Sequence, residues 1–271
     1  MKGPVNHNLY NNSDTAYAAS FLVQVVPAIA WMAEVLSYWT FTDAAFTETG
    51  QLDTPFHNGY GILSVDGIAK PAYRAFQILR NLPTRLAPLK AAKAPPSLVT
   101  PSPSKASGTW HSVDGGGGDD EEGEGEEGGE DAYSIGGWMG LDAENKSLSI
   151  VLTRFLPLAT NPAKHPAPQE QTRMRGAVQL AVTIPAVYLQ AAAARKQRPW
   201  IEVIDDECCT NPRTEWEKMG SPKSLSTDQQ TRLVNASALR RSQVTVHQDT
   251  PGSDGVVKVS MSPYTVVHLH V

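Results

Sequence analysis

The chain has 271 residues, 41% of them hydrophobic, which is enough for a sizeable core arranged as one large domain or two small ones. Its formal net charge of -5 comes from one tract: Asp114 to Asp131 contains only Gly, Asp and Glu, with ten acids in eighteen positions, leaving 18 acids against 23 Lys and Arg elsewhere. No basic stripe with interleaved aromatics accompanies that excess, and no apolar run reaches the ~18 residues of a membrane span, so neither nucleic acid nor membrane is expected as a partner.

Met1-Lys2-Gly3-Pro4 does not read as the start of a signal peptide, and the compartment stays open. Residues 14 to 36, DTAYAASFLVQVVPAIAWMAEVL, predict a mostly apolar helix capped by Ser13 or Asp14 and kinked or broken at Pro27. SYWTF, Ser37 to Phe41, is too short for a helix and rich in aromatics, which suits a buried strand. Residues 42 to 69 are rich in turn formers, and Pro71 then opens a second helix whose Ala72, Phe76 and Leu79 share a face. Helix, short strand, long loop and helix is the rhythm of one and a half βα units, too few to close a sheet.

Residues 83 to 108 are proline-rich and read as a connector with little packed structure. The Gly and acid tract has no side chain to bury and repels itself, so a disordered insertion is expected there. From Tyr133 on, short alternating stretches recur at 147 to 155, 177 to 184, 199 to 205, 242 to 247, 256 to 261 and 264 to 271, the pattern of an antiparallel sandwich. One helical insert is expected near 228 to 241. The adjacency of Cys208 and Cys209 disfavours a disulfide between them and predicts buried or free thiols.

YWTFTDAAFTETG followed by PFHNGYGILSVDGIAKPAYRAFQIL (55 to 79) resembles the last strand, loop and helix of the catalytic barrel in glycoside hydrolase family 39, the β-xylosidase and α-L-iduronidase group. IDDECCTNPRTEWEKMGSP (204 to 222) is similar to a segment of that family's C-terminal β domain. The resemblance implies an α+β fold class: a C-terminal remnant of a (β/α)8 TIM barrel in residues 1 to 82, a linker or insertion in 83 to 132, and an antiparallel β-sandwich domain in 133 to 271. It implies retaining hydrolysis of β-xylosides or related glycosides, a carbohydrate partner and no cofactor. Retaining chemistry needs two carboxylates roughly 5 to 5.5 Å apart. GPV at residues 3 to 5 resembles the stretch that follows the family's nucleophile, so both catalytic glutamates are expected before Met1 and the chain by itself is expected to be inactive. The alternative is a non-catalytic carbohydrate-binding or interaction module.

The resemblance carries sugar contact to Glu48, on a loop at the carboxyl end of a barrel strand, where such active sites form; the plain reading is a solvated loop acid. Trp39 and Phe46 are candidates to stack on a pyranose, with core packing as the plainer role for Trp39. Asp43 is either a pocket residue or a cap for the following turn. His57 reads as a structural hydrogen-bonder in a Gly-rich turn. Asp205, Asp206 and Glu207 read as solvated or as packing between domains, since three consecutive acids cannot all face one ion. His268 and His270 share one face of a strand but show no third ligand for a metal.

Overall fold

The structure, a computed structural model, describes residues 12–30, 32–45, 54–89, 135–155 and 176–271. Phe46, Glu48, the acidic tract and most of the proline-rich connector lie outside the described residues.

Two helices open the fold. In α1 (Ala16–Ile29), Thr15 caps the N-terminus by accepting from the Tyr17 amide, and Ala16, Ala19, Leu22 and Val23 form a buried stripe at helical spacing. Pro71 stands at the first turn of α2 (Pro71–Arg80), where its missing N–H leaves no partner wanting, and Ala72, Ala75 and Ile78 form the inner face. The small alanines let the two helices approach closely. They pack together on one face of a six-stranded antiparallel sheet.

That sheet is built from β1 (Leu86–Pro88), β2 (Ile135–Asp142), β3 (Ser147–Arg154), β5 (Trp200–Ile204), β6 (Ser242–Gln243) and β9 (Val266–His270), in the order β1-β2-β3-β9-β5-β6. A second, three-stranded sheet of β4 (Val178–Ile184), β7 (His247–Gln248) and β8 (Gly255–Met261) runs β4-β8-β7. All residues of β3 are buried because both of its faces are covered. Val151 joins Ile204 and Val266 beneath α1 and α2. Leu148, Ile150 and Leu152 join Val267 and Leu269 against Val257, Val259 and Met261 of the second sheet. Each fully buried aliphatic side chain here contributes about 1.5 to 3 kcal/mol. On the helix side a buried hydrogen bond between Ser20 and Thr153 hydroxyls, 2.5 Å, fixes α1 over β3.

Among the described residues, three further helices follow: α3 (Ala186–Ala194), α4 (Pro212–Lys218) and α5 (Thr227–Ala236). A capping box between Ser226 and Gln229 starts α5. α4 opens on Asn211, whose side chain accepts from the Arg213 amide.

The strands at 147 to 154, 178 to 184, 200 to 204, 255 to 261 and 266 to 270 stand where the alternation put them. Other expectations need correction. α1 stops at Ile29, two residues past Pro27, and residues 32 to 37 are exposed and non-helical. Ser37 to Phe41 is not a buried strand: Tyr38 points inward, while Trp39 and Phe41 are 76% and 65% exposed. The 242 to 247 stretch divides into β6 and β7, which belong to different sheets. The helical insert begins at Thr227 and ends at Ala236. α3, α4 and β2 were not singled out from the sequence. Their local composition is ambiguous: AVYLQAAAA has no polar face to reveal a helix, and IGGWMGLD carries three glycines. β1 lies within the expected connector and pairs Leu86 with Gly140 on the sheet edge.

Cys208 and Cys209 are not free thiols but are joined to each other as a disulfide. The turn that holds them is closed by reciprocal backbone bonds between Asp205 and Cys209 at 2.9 and 3.1 Å. Within it Asp205 accepts from the Glu207 and Cys208 amides. The acidic cluster therefore faces inward for two of its three members. Asp206 Oδ1 accepts from the Ala16 amide at the start of α1, 2.7 Å, and from Asn211 Nδ2, 2.5 Å.

Burial pushes the Asp206 carboxyl up to about 6, although its hydrogen bonds from Ala16 and Asn211 favour the charged form. The native state thus keeps a proton that the unfolded chain gives up near 3.8, so between about pH 4 and 6 stability falls as pH rises. The expected loss is ~2 kcal/mol. Urea unfolding of Asp206→Asn from pH 4 to 7 should show this decline flattened; an unchanged slope would refute the assignment.

Candidate functional site

Of the sequence candidates within the described residues, Asp43 and His57 come together around one buried cation, and Trp39 does not. Residues 40 to 43 run alongside 60 to 63, with one parallel bridge between Thr42 and Leu63. Ile62 N donates to Thr40 O at 3.0 Å, Leu63 N to Phe41 O at 3.1 Å, and Asp43 N to Leu63 O at 3.0 Å. This short parallel pairing brings the end of the aromatic stretch against HNGYG and the segment leading to α2.

Lys70, in extended conformation just before Pro71, sends its ammonium into the gap. Its Nζ forms ion pairs with Asp14 Oδ1 and Asp43 Oδ2, each at 2.5 Å, and donates to Gly59 O at 3.0 Å. Lys70, Asp14 and Asp43 have no solvent-exposed surface. The second oxygens are also engaged: Asp14 Oδ2 accepts from the Asn58 amide at 2.6 Å, and Asp43 Oδ1 accepts from the Gly61 amide at 2.8 Å. His57, itself buried, places Nε2 3.9 Å from Asp43 Oδ2. Burial raises the Asp43 carboxyl; Lys70 opposes that shift, and the like charge of Asp14 adds to it.

The glycines of HNGYG have a steric reason. A Cβ on Gly59 would sit 2.8 Å from Asp43 Cγ, and one on Gly61 would sit 2.5 Å from Thr42 C, so neither position admits a larger residue while Asp43 is in place. Asn58 adopts φ 63°, which aims its amide at Asp14 and its side-chain oxygen at Arg213 Nη1, 2.7 Å away at the start of α4.

Asp43 opens a single 3-10 turn over Asp43–Ala45, and its carboxylate is committed to Lys70 and Gly61. Trp39 is the opposite case, exposed on the outer side of the parallel pair together with Phe41. Tyr38 turns inward and meets the Phe76 ring edge-on at 5.5 Å. With Met32, Val35 and Leu36, Trp39 and Phe41 make residues 32 to 41 a markedly apolar exposed stretch. Glu48 and Phe46 lie outside the described residues. Lys70 was not expected as a site residue, and Ser13 or Asp14 was expected as the helix cap; the cap is Thr15. A lysine before a proline carries no local sign of burial, and the Lys-Pro pair drew notice only as part of the resemblance. Among the described residues, no group of three or more His, Cys, Asp or Glu is arranged to hold a metal ion.

A pair of carboxylates is what glycoside hydrolysis needs, but this pair cannot supply it. Both are sealed from solvent and share a lysine, so neither reaches a glycosidic oxygen or an anomeric carbon. The cluster acts as a clamp on four segments. Lys70→Met should leave two buried acids without a counter-charge and destabilise the fold by about 3 to 5 kcal/mol in urea unfolding. Trp39→Ala should change stability by less than about 0.5 kcal/mol, as exposed substitutions do, whereas Tyr38→Ala should cost ~3 kcal/mol; equal effects would refute the assigned orientations.

Residues 5–98 match the sequence model of glycosyl hydrolases family 39. Over 88 residues the chain is 46% identical to a beta-xylosidase of Caldicellulosiruptor saccharolyticus, a match covering 29% of this chain and 18% of the relative. Over 87 residues it is 30% identical to a beta-xylosidase of Geobacillus stearothermophilus, covering 29% and 17%. The matches thus span less than a fifth of those relatives' length. In fold, the chain is similar to the GH39 enzyme of Xanthomonas axonopodis pv. citri, with a TM-score of 0.56 at 19% identity, covering 95% of this chain and 41% of the other. It is likewise similar to a GH39 beta-xylosidase of Caulobacter crescentus, with a TM-score of 0.56 at 16% identity, covering 96% and 40%. Family match, curated relatives and fold point the same way: residues 5–98 resemble glycosyl hydrolases family 39, and the fold is similar to that of GH39 enzymes.

Proposed function

We propose that this chain is the closing end and sandwich of a glycoside hydrolase that acts on β-xylosides or related glycosides with retention, and that the 271 residues alone do not turn substrate over. Residues 1 to 82 then correspond to the C-terminal portion of a (β/α)8 barrel, 83 to 132 to a linker or insertion, and 133 to 271 to the β-sandwich. The observation that carries the reading is the 46% identity to a beta-xylosidase, concentrated in 88 residues.

The exposed apolar residues Met32, Val35, Leu36, Trp39 and Phe41 support the reading, because an apolar stretch of this kind ordinarily marks a surface that another element covers. In this reading Glu48, Phe46 and Trp39 are substrate-binding residues at the rim, and Asp43 holds the rim loop through Lys70. The acid and the nucleophile come from barrel segments that this chain's match does not span.

The test is hydrolysis of 4-nitrophenyl β-D-xylopyranoside by the purified 271-residue chain. No turnover above the uncatalysed rate is expected. Turnover that survives further purification would overturn the proposal, because it would require a catalytic carboxylate pair within this chain.

A further inference from the structure

The face of the six-stranded sheet that carries α1 and α2 is not covered along its whole length. Val151, Ile204 and Val266 lie under the helices. Farther along the same strand faces come Glu202 and Trp200 of β5 and His268 and His270 of β9, with Glu202 opposite His268 and Trp200 opposite His270. α2 ends at Arg80, and Asn81, its C-cap, stands at the edge of what remains. A groove of about 330 Å³ results, walled by Asn81, Gln197, Arg198, Trp200, Arg241 and the two histidines.

The polar groups of this groove are arranged in order. Glu202, 7% exposed, accepts from Arg241 Nε at 3.1 Å and from His268 Nδ1 at 3.2 Å. The Arg241 guanidinium lies 4.1 Å over the Trp200 ring. His270 stacks on Trp200, with ring centres 5.0 Å apart, and His268 meets Trp200 edge-on. A carboxylate oxygen can only accept, so His268 uses Nδ1–H toward Glu202 and in its neutral form presents Nε2 as an acceptor. That nitrogen is buried and has no partner, although His268 is only 2% exposed. An unsatisfied acceptor at such a depth is uncommon. Arg198, Gln197 and Arg241 are exposed, with Arg241 held by Glu202 and Trp200.

We propose that this groove binds a small polyhydroxylated anion. Glu202 is neutralised by Arg241, and Arg198 adds a cation whose hydrogen bond is a single long one to Gln243, 3.3 Å, so the groove carries net positive charge. His268 Nε2 asks for a donor, which a hydroxyl supplies. Arg198 asks for an acceptor, which a carboxylate or phosphate supplies, and Asn81 and Gln197 offer further hydrogen bonds at the mouth. The site lies on the six-stranded sheet beside the end of α2 and does not depend on the substrate contacts at Glu48.

The test is titration of the full 271-residue chain with D-gluconate, D-glucitol 6-phosphate, neutral D-glucitol and acetate, read by calorimetry and tryptophan fluorescence. Saturable binding of at least one of the first two is expected, about tenfold or more tighter than glucitol or acetate; whichever binds more tightly assigns the anion as carboxylate or phosphate. Arg198→Ala, a surface change compatible with folding, should weaken it about tenfold. His268→Gln should weaken it as well, since an amide there restores a partner for Glu202 but alters the inward acceptor. Failure of both anions to saturate, equal binding of glucitol, or unchanged affinity in Arg198→Ala would each overturn the proposal.

Discussion

A buried lysine shared by two carboxylates is the constraint on which the first part of the molecule depends. Asp14 precedes α1, Asp43 follows the aromatic stretch, Gly59 belongs to the HNGYG turn and Lys70 leads into α2, and all four meet at one ammonium group. Such an arrangement adds little net stability over an apolar filling, because removing three charges from water is expensive. What it supplies is uniqueness, since any shift of one segment strands a charge. The two glycines that touch Asp43 follow from it, as does the left-handed Asn58 that ties the turn to Arg213 in the second half of the chain.

β3 plays the corresponding part for the rest. It is buried on both faces, so the helices and the second sheet pack against opposite sides of the same strand. The Cys208 to Cys209 turn adds a polar fastening: Asp205 accepts from the Thr265 hydroxyl just before β9, and Asp206 accepts from the first amide of α1. The two halves are therefore joined by apolar packing and by hydrogen bonds donated to buried acids.

Much of this was legible in the sequence where periodicity is strong. β4 and β8 of the second sheet alternate cleanly, and α2 announces itself with Pro71 and the apolar face of Ala72, Phe76 and Leu79. SYWTF misled because aromatic content was taken for burial; here alternate aromatics point outward, as on a face that a further element would cover. The disulfide was missed because adjacency was read as an obstacle. Asp43 was recognised as significant, but its partner Lys70 lies 27 positions away in the chain. Only the tertiary fold brings them together, and the same holds for His268 and Glu202, which become neighbours through strand pairing.

The hydroxyl contact between Ser20 and Thr153, with the apolar layer around it, has a consequence for how this protein can be divided. A chain shortened to begin after Leu82 would keep every strand yet lose α1 and α2, and with them the cover over Val151, Ile204 and Val266. It would present a wet, greasy sheet and an orphaned threonine in place of an interior. The natural seam of the molecule is thus not the place where composition changes along the sequence, and partner-free behaviour of the strands alone would report on that exposed face more than on the protein.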